Sequence, residues 1–197
     1  METISKDKAA KLLHQKEVSL FTVSDAKKLF RIDKENTLYK LLQRLEKSEV
    51  IRRVSHGKYR FLFREVHDFA LANFLTAPSY ISLESALSFH GVLSQFPYTV
   101  TSVTPLKSKK VRYEGKEFEF VHIDKKYFSG FLKTDDFLMA GPEKALLDAL
   151  YLAAKKLRVV PVEELELTRV DKKILKTLSK PYAFLPLQHL LRELKLC

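Results

Sequence analysis

The 197-residue chain has one cysteine, no tryptophan, two methionines and five glycines. The lone Cys197 excludes an intrachain disulfide and a cysteine zinc site, and a reducing compartment is the simple expectation. The glycines are scattered, so no glycine-rich loop cradles a phosphate. His14, His56, His67, His90, His122 and His189 lie far apart, and none is paired at metal-ligand spacing. No run of about 18 apolar residues exists, so no membrane-spanning segment is expected. The first residues, METISKDKAAKLLHQKE, alternate charges and lack an apolar core, unlike a secretory signal. These absences point to a cytoplasmic protein without a bound metal or cofactor.

What the chain has in excess is positive charge. It carries 35 Lys and Arg against 24 Asp and Glu, a net of +11 and a pI near 9.6. That balance favours a polyanionic partner, nucleic acid first and an acidic membrane second. The excess is uneven: residues 1–65 hold a net of +7 and residues 66–197 a net of +4. Hydrophobic residues make up 46% and charged residues 30%, as in an ordinary soluble protein with material for two small cores. Two domains are therefore expected, residues 1–65 and 66–197.

In the first, Ile4–Lys16 is helix-like. Thr22 followed by Asp25 three residues later reads as a variant capping box that starts a short helix. Arg31–Asp33 is a tight turn, and Asp33 is the expected cap of the next helix. That helix, about Glu35–Lys47, carries Leu38, Leu41, Leu42 and Leu45 at i, i+3, i+4 and i+7, a single apolar stripe. Its opposite face holds Asn36, Lys40, Gln43 and Lys47, flanked by Thr37 and Arg44. The face lacks carboxylates, and Glu35 and Glu46 fall nearer the core side. Asn and Gln suit adenine edges, and Lys and Arg suit guanine or phosphate. A plain solvated face is the competing reading.

The stretch SEVIRRVSHGKYRF, residues 48–61, reads as a hairpin with a two-residue His56-Gly57 loop. In the simplest register Arg53 lies opposite Arg60, and Arg53, Lys58 and Arg60 share one face with Ser55. Like charges directly opposed destabilise a bare sheet, and a phosphate between them relieves it. Arg52 then falls on the apolar side with Val54, Tyr59 and Phe61, its stem lying along Phe61. Two helices, a short turn and a hairpin match a winged helix-turn-helix. The expected DNA contacts are Asn36, Thr37, Lys40 and Gln43 toward base edges. Lys34, Arg44, Lys47, Arg53, Lys58 and Arg60 complete the DNA-binding set, chiefly toward phosphates.

The second domain reads as α+β, with a small antiparallel sheet and flanking helices. Val66–Leu75 is a helix, Tyr80-Ile81 a strand, and Ser82 the expected cap of a helix over Leu83–His90. Tyr98–Thr104, Val111–Tyr113, Glu117–Ile123 and Ser129–Leu132 are strand candidates. Pro142 and Glu143 open a clear helix, and helical pieces follow near Asp171–Leu178 and Pro186–Leu196. Glu143, Lys144 and Asp148 could be imagined as catalytic. The simpler expectation is a dipole contact for Glu143 and a surface i, i+4 pair for Lys144 with Asp148, so no enzyme is expected. Lys107, Lys109, Lys110 and Arg112 form a possible basic surface.

The ordered blocks FTVSDAKKLF, TLYKLLQRLEKSEVIRRVSHGKYRF, YISLESALSFHGVLSQFPYTVTSVT, FEFVHI and MAGPEKALLDALY resemble the AbiEi family of antitoxins and transcriptional regulators. The resemblance covers about residues 10–155. It implies an N-terminal winged helix that binds inverted repeats in double-stranded promoter DNA and represses its own operon. It also implies a C-terminal domain that counters a nucleotidyltransferase-type toxin of a type IV toxin–antitoxin, abortive-infection system, without need of a stable complex. Carried onto this sequence, the reading helix is Asn36–Lys47 and the wing Arg53–Arg60. A stand-alone regulator, or a protein-interaction module, are the alternatives.

Overall fold

The computed structural model describes residues 4–134 and 136–196; Cys197, and the reading of its thiol, lie outside them. The chain is mixed α+β. It divides into two compact units, Met1–His67 and Asp68–Cys197.

The first unit runs α1 (Lys6–Gln15), β1 (Leu20–Thr22), α2 (Val23–Phe30), α3 (Glu35–Lys47), β2 (Ile51–Ser55) and β3 (Lys58–Phe61). The expected capping box starts α2. The Thr22 hydroxyl accepts from the Asp25 amide at 3.2 Å, and the Asp25 carboxylate accepts from the Thr22 amide at 2.9 Å. Thr22→Ala should therefore cost about 0.5–2 kcal/mol of this unit's stability, measured by chemical unfolding. Helix α3 has the span its leucine spacing predicts, and Leu38, Leu41, Leu42 and Leu45 are all buried. Its cap differs from expectation. Lys34 is the N-cap and makes no side-chain cap bond, while the Asp33 carboxylate lies 4.0 Å from Lys27 Nζ instead.

Strand β1 was not foreseen as a strand. It pairs antiparallel with β3, which makes β3 the centre of a three-stranded sheet in the order β1-β3-β2. Phe21 stacks on Tyr59, ring centroids 5.7 Å apart. Alternation along β3 sends Tyr59 and Phe61 into the core with Phe21, Phe30 and Ile51.

The second unit begins with α4 (Asp68–Leu75), β4 (Tyr80–Ile81), α5 (Leu83–Phe89), β5 (Val100–Thr104), β6 (Lys109–Tyr113) and β7 (Lys116–His122). It continues with β8 (Phe131–Thr134), β9 (Phe137–Ala140), α6 (Pro142–Ala154), α7 (Lys172–Ser179) and α8 (Leu185–Glu193). Its sheet is not a small antiparallel one. Six strands run in the order β6-β7-β5-β4-β9-β8, with β5 parallel to β7 and β4 parallel to β9. The reason is that the β6–β7 hairpin docks by its second strand, which runs in the direction of β5. Every residue of β5 is buried, so its VTSVT sequence shows no alternation and its hydroxyls need partners. Thr101 Oγ1 donates to the Ser82 carbonyl at 2.8 Å and accepts from the Ser85 amide at 3.0 Å. Thr104 Oγ1 donates to the Pro78 carbonyl at 2.7 Å. Among the described residues no helix is long and apolar enough to cross a membrane.

Candidate nucleic-acid interface

Helix α3 presents Asn36, Lys40, Gln43, Arg44 and Lys47 as exposed side chains, with Thr37 half-buried at their margin. The four buried leucines opposite fix this orientation, because rotating the helix exposes them. Among the described residues Lys40, Arg44 and Lys47 make no ion pair; Arg44 Nε only donates to the Lys40 carbonyl at 3.3 Å. Lys34, at the N-cap, is exposed too. Tyr39, half exposed, borders the same face.

The hairpin departs from the expected register. Ser55 pairs with Lys58 across the His56-Gly57 turn, and Gly57 takes φ +68° as that turn requires. Val54 is then skipped. Beyond this bulge Arg53 lies opposite Tyr59, Arg52 opposite Arg60, and Ile51 opposite Phe61. The pairing of Arg53 with Arg60 is thus corrected to Arg52 with Arg60. Burial explains the slip: it seats Ile51 and Phe61 together in the core, each at most 2% exposed. Arg52, which the simple register stranded on the apolar face, joins the face of Arg60 and Lys58.

Arg53 has a different task. Its Nε donates to the Ser55 carbonyl at 3.3 Å, and its Nη2 lies 3.1 Å from His56 Nδ1. A guanidinium has no acceptor, so His56 Nδ1 must accept and the ring proton sits on Nε2. Arg53 therefore braces the bulge and the turn. Its charge also pulls down the Tyr59 phenol, which burial raises more strongly.

Comparison with known protein families finds no matching family model, and comparison with curated proteins finds no match. The site consists of a polar helix face, bordered by the exposed Glu35 and Glu46, and a basic hairpin face in the same unit.

In the second unit Glu143, Lys144 and Asp148 are not surface groups. Lys144 is 2% exposed and Asp148 fully buried. Lys144 Nζ bonds Asp148 Oδ1, and donates to the Tyr182 hydroxyl at 3.0 Å. Asp148 Oδ2 accepts from Tyr80 at 2.9 Å and from Ser82 at 2.8 Å. Ser82 is thus the N-cap of α5 by position only; its hydroxyl turns inward to the carboxylate. Glu143 lies in the first turn of α6, as the helix-dipole reading expects, and also accepts the Asp171 amide at 2.9 Å. Burial, and the carboxylate beside them, push the Tyr80 and Tyr182 phenols far above their usual range, so both stay hydrogen-bond donors. Gly130 comes so close that a Cβ there would stand 3.2 Å from Lys144 Cδ. The cluster ties β4, α5, α6 and the segment before α8 together. Its side chains are buried, and the cluster joins the elements of the unit.

The basic loop of this unit is also changed. Lys110 reaches Glu117 and Glu119, both at 3.5 Å, and Arg112 reaches Glu117 at 3.4 Å. Carboxylates one strand away thus neutralise half of the expected patch. Among the described residues no group of His, Cys, Asp and Glu is placed to hold a metal.

Proposed function

We propose that this protein is a DNA-binding transcriptional autorepressor whose first unit acts as a winged helix-turn-helix, with α3 as reading helix and β2–β3 as wing. The observation that carries this reading is the face of α3: three cations and two amides, exposed and set opposite a seam of four buried leucines, with the exposed Glu35 and Glu46 at its margin. In the major groove Asn36, Thr37, Lys40 and Gln43 meet base edges, and Lys34, Arg44 and Lys47 meet phosphates. Arg52, Lys58 and Arg60 on the outer face of the wing add sequence-independent phosphate contacts. Arg52→Ala should weaken binding to all duplexes alike. Arg53→Ala should also weaken binding to all duplexes, and in addition loosen the turn that Arg53 braces. Fluorescence anisotropy with operator and scrambled duplexes checks both.

We further propose that the second unit acts as the antitoxin of a type IV system against a nucleotidyltransferase-type toxin. This rests on the AbiEi-like order of its sequence blocks. Those blocks also cooperate physically: YIS supplies Tyr80 and Ser82, and PEKALLD supplies Lys144 and Asp148, to one buried cluster. The test is co-expression with the product of a neighbouring nucleotidyltransferase-like gene. Restored growth supports the antitoxin reading. Specific promoter binding with no rescue leaves a stand-alone repressor.

A further inference from the structure

Helix α7 and its C-cap carry four lysines and no carboxylate. Lys172, Lys173, Lys176 and Lys180, the last as the C-cap with helical backbone angles, are all exposed. At 3.6 residues per turn they fall within an arc of about 100°. The opposite side is apolar: Leu175 is fully buried, and α7 packs against α6. Among the described residues none of the four lysines makes an ion pair. The carboxylate next to them in the chain, Asp171, is engaged as the N-cap and accepts from the Lys173 and Ile174 amides at 2.7 and 3.2 Å.

This arrangement works against the helix that bears it. Lys172 and Lys173 stand in the first turn, where the helix dipole favours negative charge. Lys172 with Lys176, and Lys176 with Lys180, are like charges at i, i+4, which repel. A row of anions alongside would relieve both effects. A duplex backbone supplies such a row. Lys172, Lys176 and Lys180 climb about 12 Å along the helix, and each DNA strand presents a phosphate about every 3.4 Å of axis. An acidic membrane fits less well, because a surface-bound helix keeps a broad apolar face for the lipid, whereas Leu175 is buried within the unit. A protein partner fits less well too, since protein interfaces are depleted in lysine.

We propose that α7 is a second nucleic-acid contact, an electrostatic stripe for the phosphates of duplex DNA, separate from α3 and the wing. It adds affinity without sequence preference. The helix lies outside the blocks that resemble the antitoxin family, and its contact with phosphate does not depend on α3 reading a promoter.

The test compares the full chain with Lys172→Gln/Lys176→Gln/Lys180→Gln, using fluorescence anisotropy with operator and scrambled duplexes across a salt series. The three side chains are exposed and their removal abolishes two repulsive pairs, so the variant keeps its fold, which its amide spectrum verifies. The salt slope should fall by about two to three on both duplexes, and affinity at low salt by at least about tenfold, with the ratio between the duplexes unchanged. An unchanged slope and affinity overturns the proposal. A second arm sediments both proteins with vesicles of phosphatidylcholine and phosphatidylserine. Vesicle binding that the variant loses while its DNA slope stays the same assigns the stripe to an acidic membrane, and also overturns the proposal. Failure of the promoter reading shows separately, as equal affinity of the unaltered chain for the two duplexes with the α7 effect intact.

Discussion

Asp148→Asn should cost the second unit about 3–5 kcal/mol, the usual loss when one partner of a buried ion pair is removed. The substitution preserves shape but leaves the Lys144 ammonium, 2% exposed, without its counter-charge. It also replaces one acceptor oxygen with a donor amide, among hydroxyls from Tyr80, Ser82 and Tyr182 that already point at it. Against a typical total stability of about 5–15 kcal/mol, that loss leaves the unit near its unfolding threshold. Urea unfolding of the full chain, followed by amide NMR signals of each unit, should show the second unit unfolding at far lower denaturant and the first unchanged. Lys144→Met/Asp148→Leu should recover part of the loss, since no charge is left buried. It should not recover all of it, because three hydroxyls then lack their acceptor. A cost below about 1 kcal/mol for Asp148→Asn would mean that the pair lies at the surface, where such pairs contribute little.

The second large effect separates reading from positioning. Arg44→Ala/Arg60→Ala should reduce the salt slope of DNA binding by about 1.8, as expected for two lost phosphate contacts at about 0.9 each. Affinity should fall by similar factors on operator and scrambled DNA. Gln43→Ala should leave the slope unchanged and lower only the preference for operator, by about 1–3 kcal/mol. Gln43 and Arg44 are exposed and the leucine seam is untouched; Arg60 is half-buried in the central strand, so the fold of that variant is verified from its amide spectrum. An opposite pattern, with Gln43→Ala flattening the salt dependence, would place the helix across the backbone instead of in the groove.

Much of the first unit was legible because its signals are local. The four leucines of α3 and the Thr22–Asp25 box each act within two helical turns. The hairpin turn was legible as well, through Gly57. The register was not, since a bulge at Val54 is decided by which pair fills the core, Ile51 with Phe61, and that core includes residues from β1 and the helices. Strand β1 escaped for the same reason: three residues carry too little pattern, and their pairing with β3 is long-range.

The second unit was harder to read. Lys144 and Asp148 sit at i and i+4, the spacing of a solvated pair, and nothing in their own helix reveals that Tyr80, Ser82 and Tyr182 close over them. The signal that was present is the all-round character of α6, where Glu143 to Leu152 are all buried. A helix covered on every side leaves no surface for a charged pair.

Equilibrium binding of the full chain to its own upstream promoter DNA, measured across a salt series beside a scrambled duplex, tests the central claim most directly. The predicted result is a promoter complex that is tighter than the scrambled one at every salt concentration, and that weakens steeply as salt rises. Equal affinity for the two duplexes at every salt concentration would contradict it.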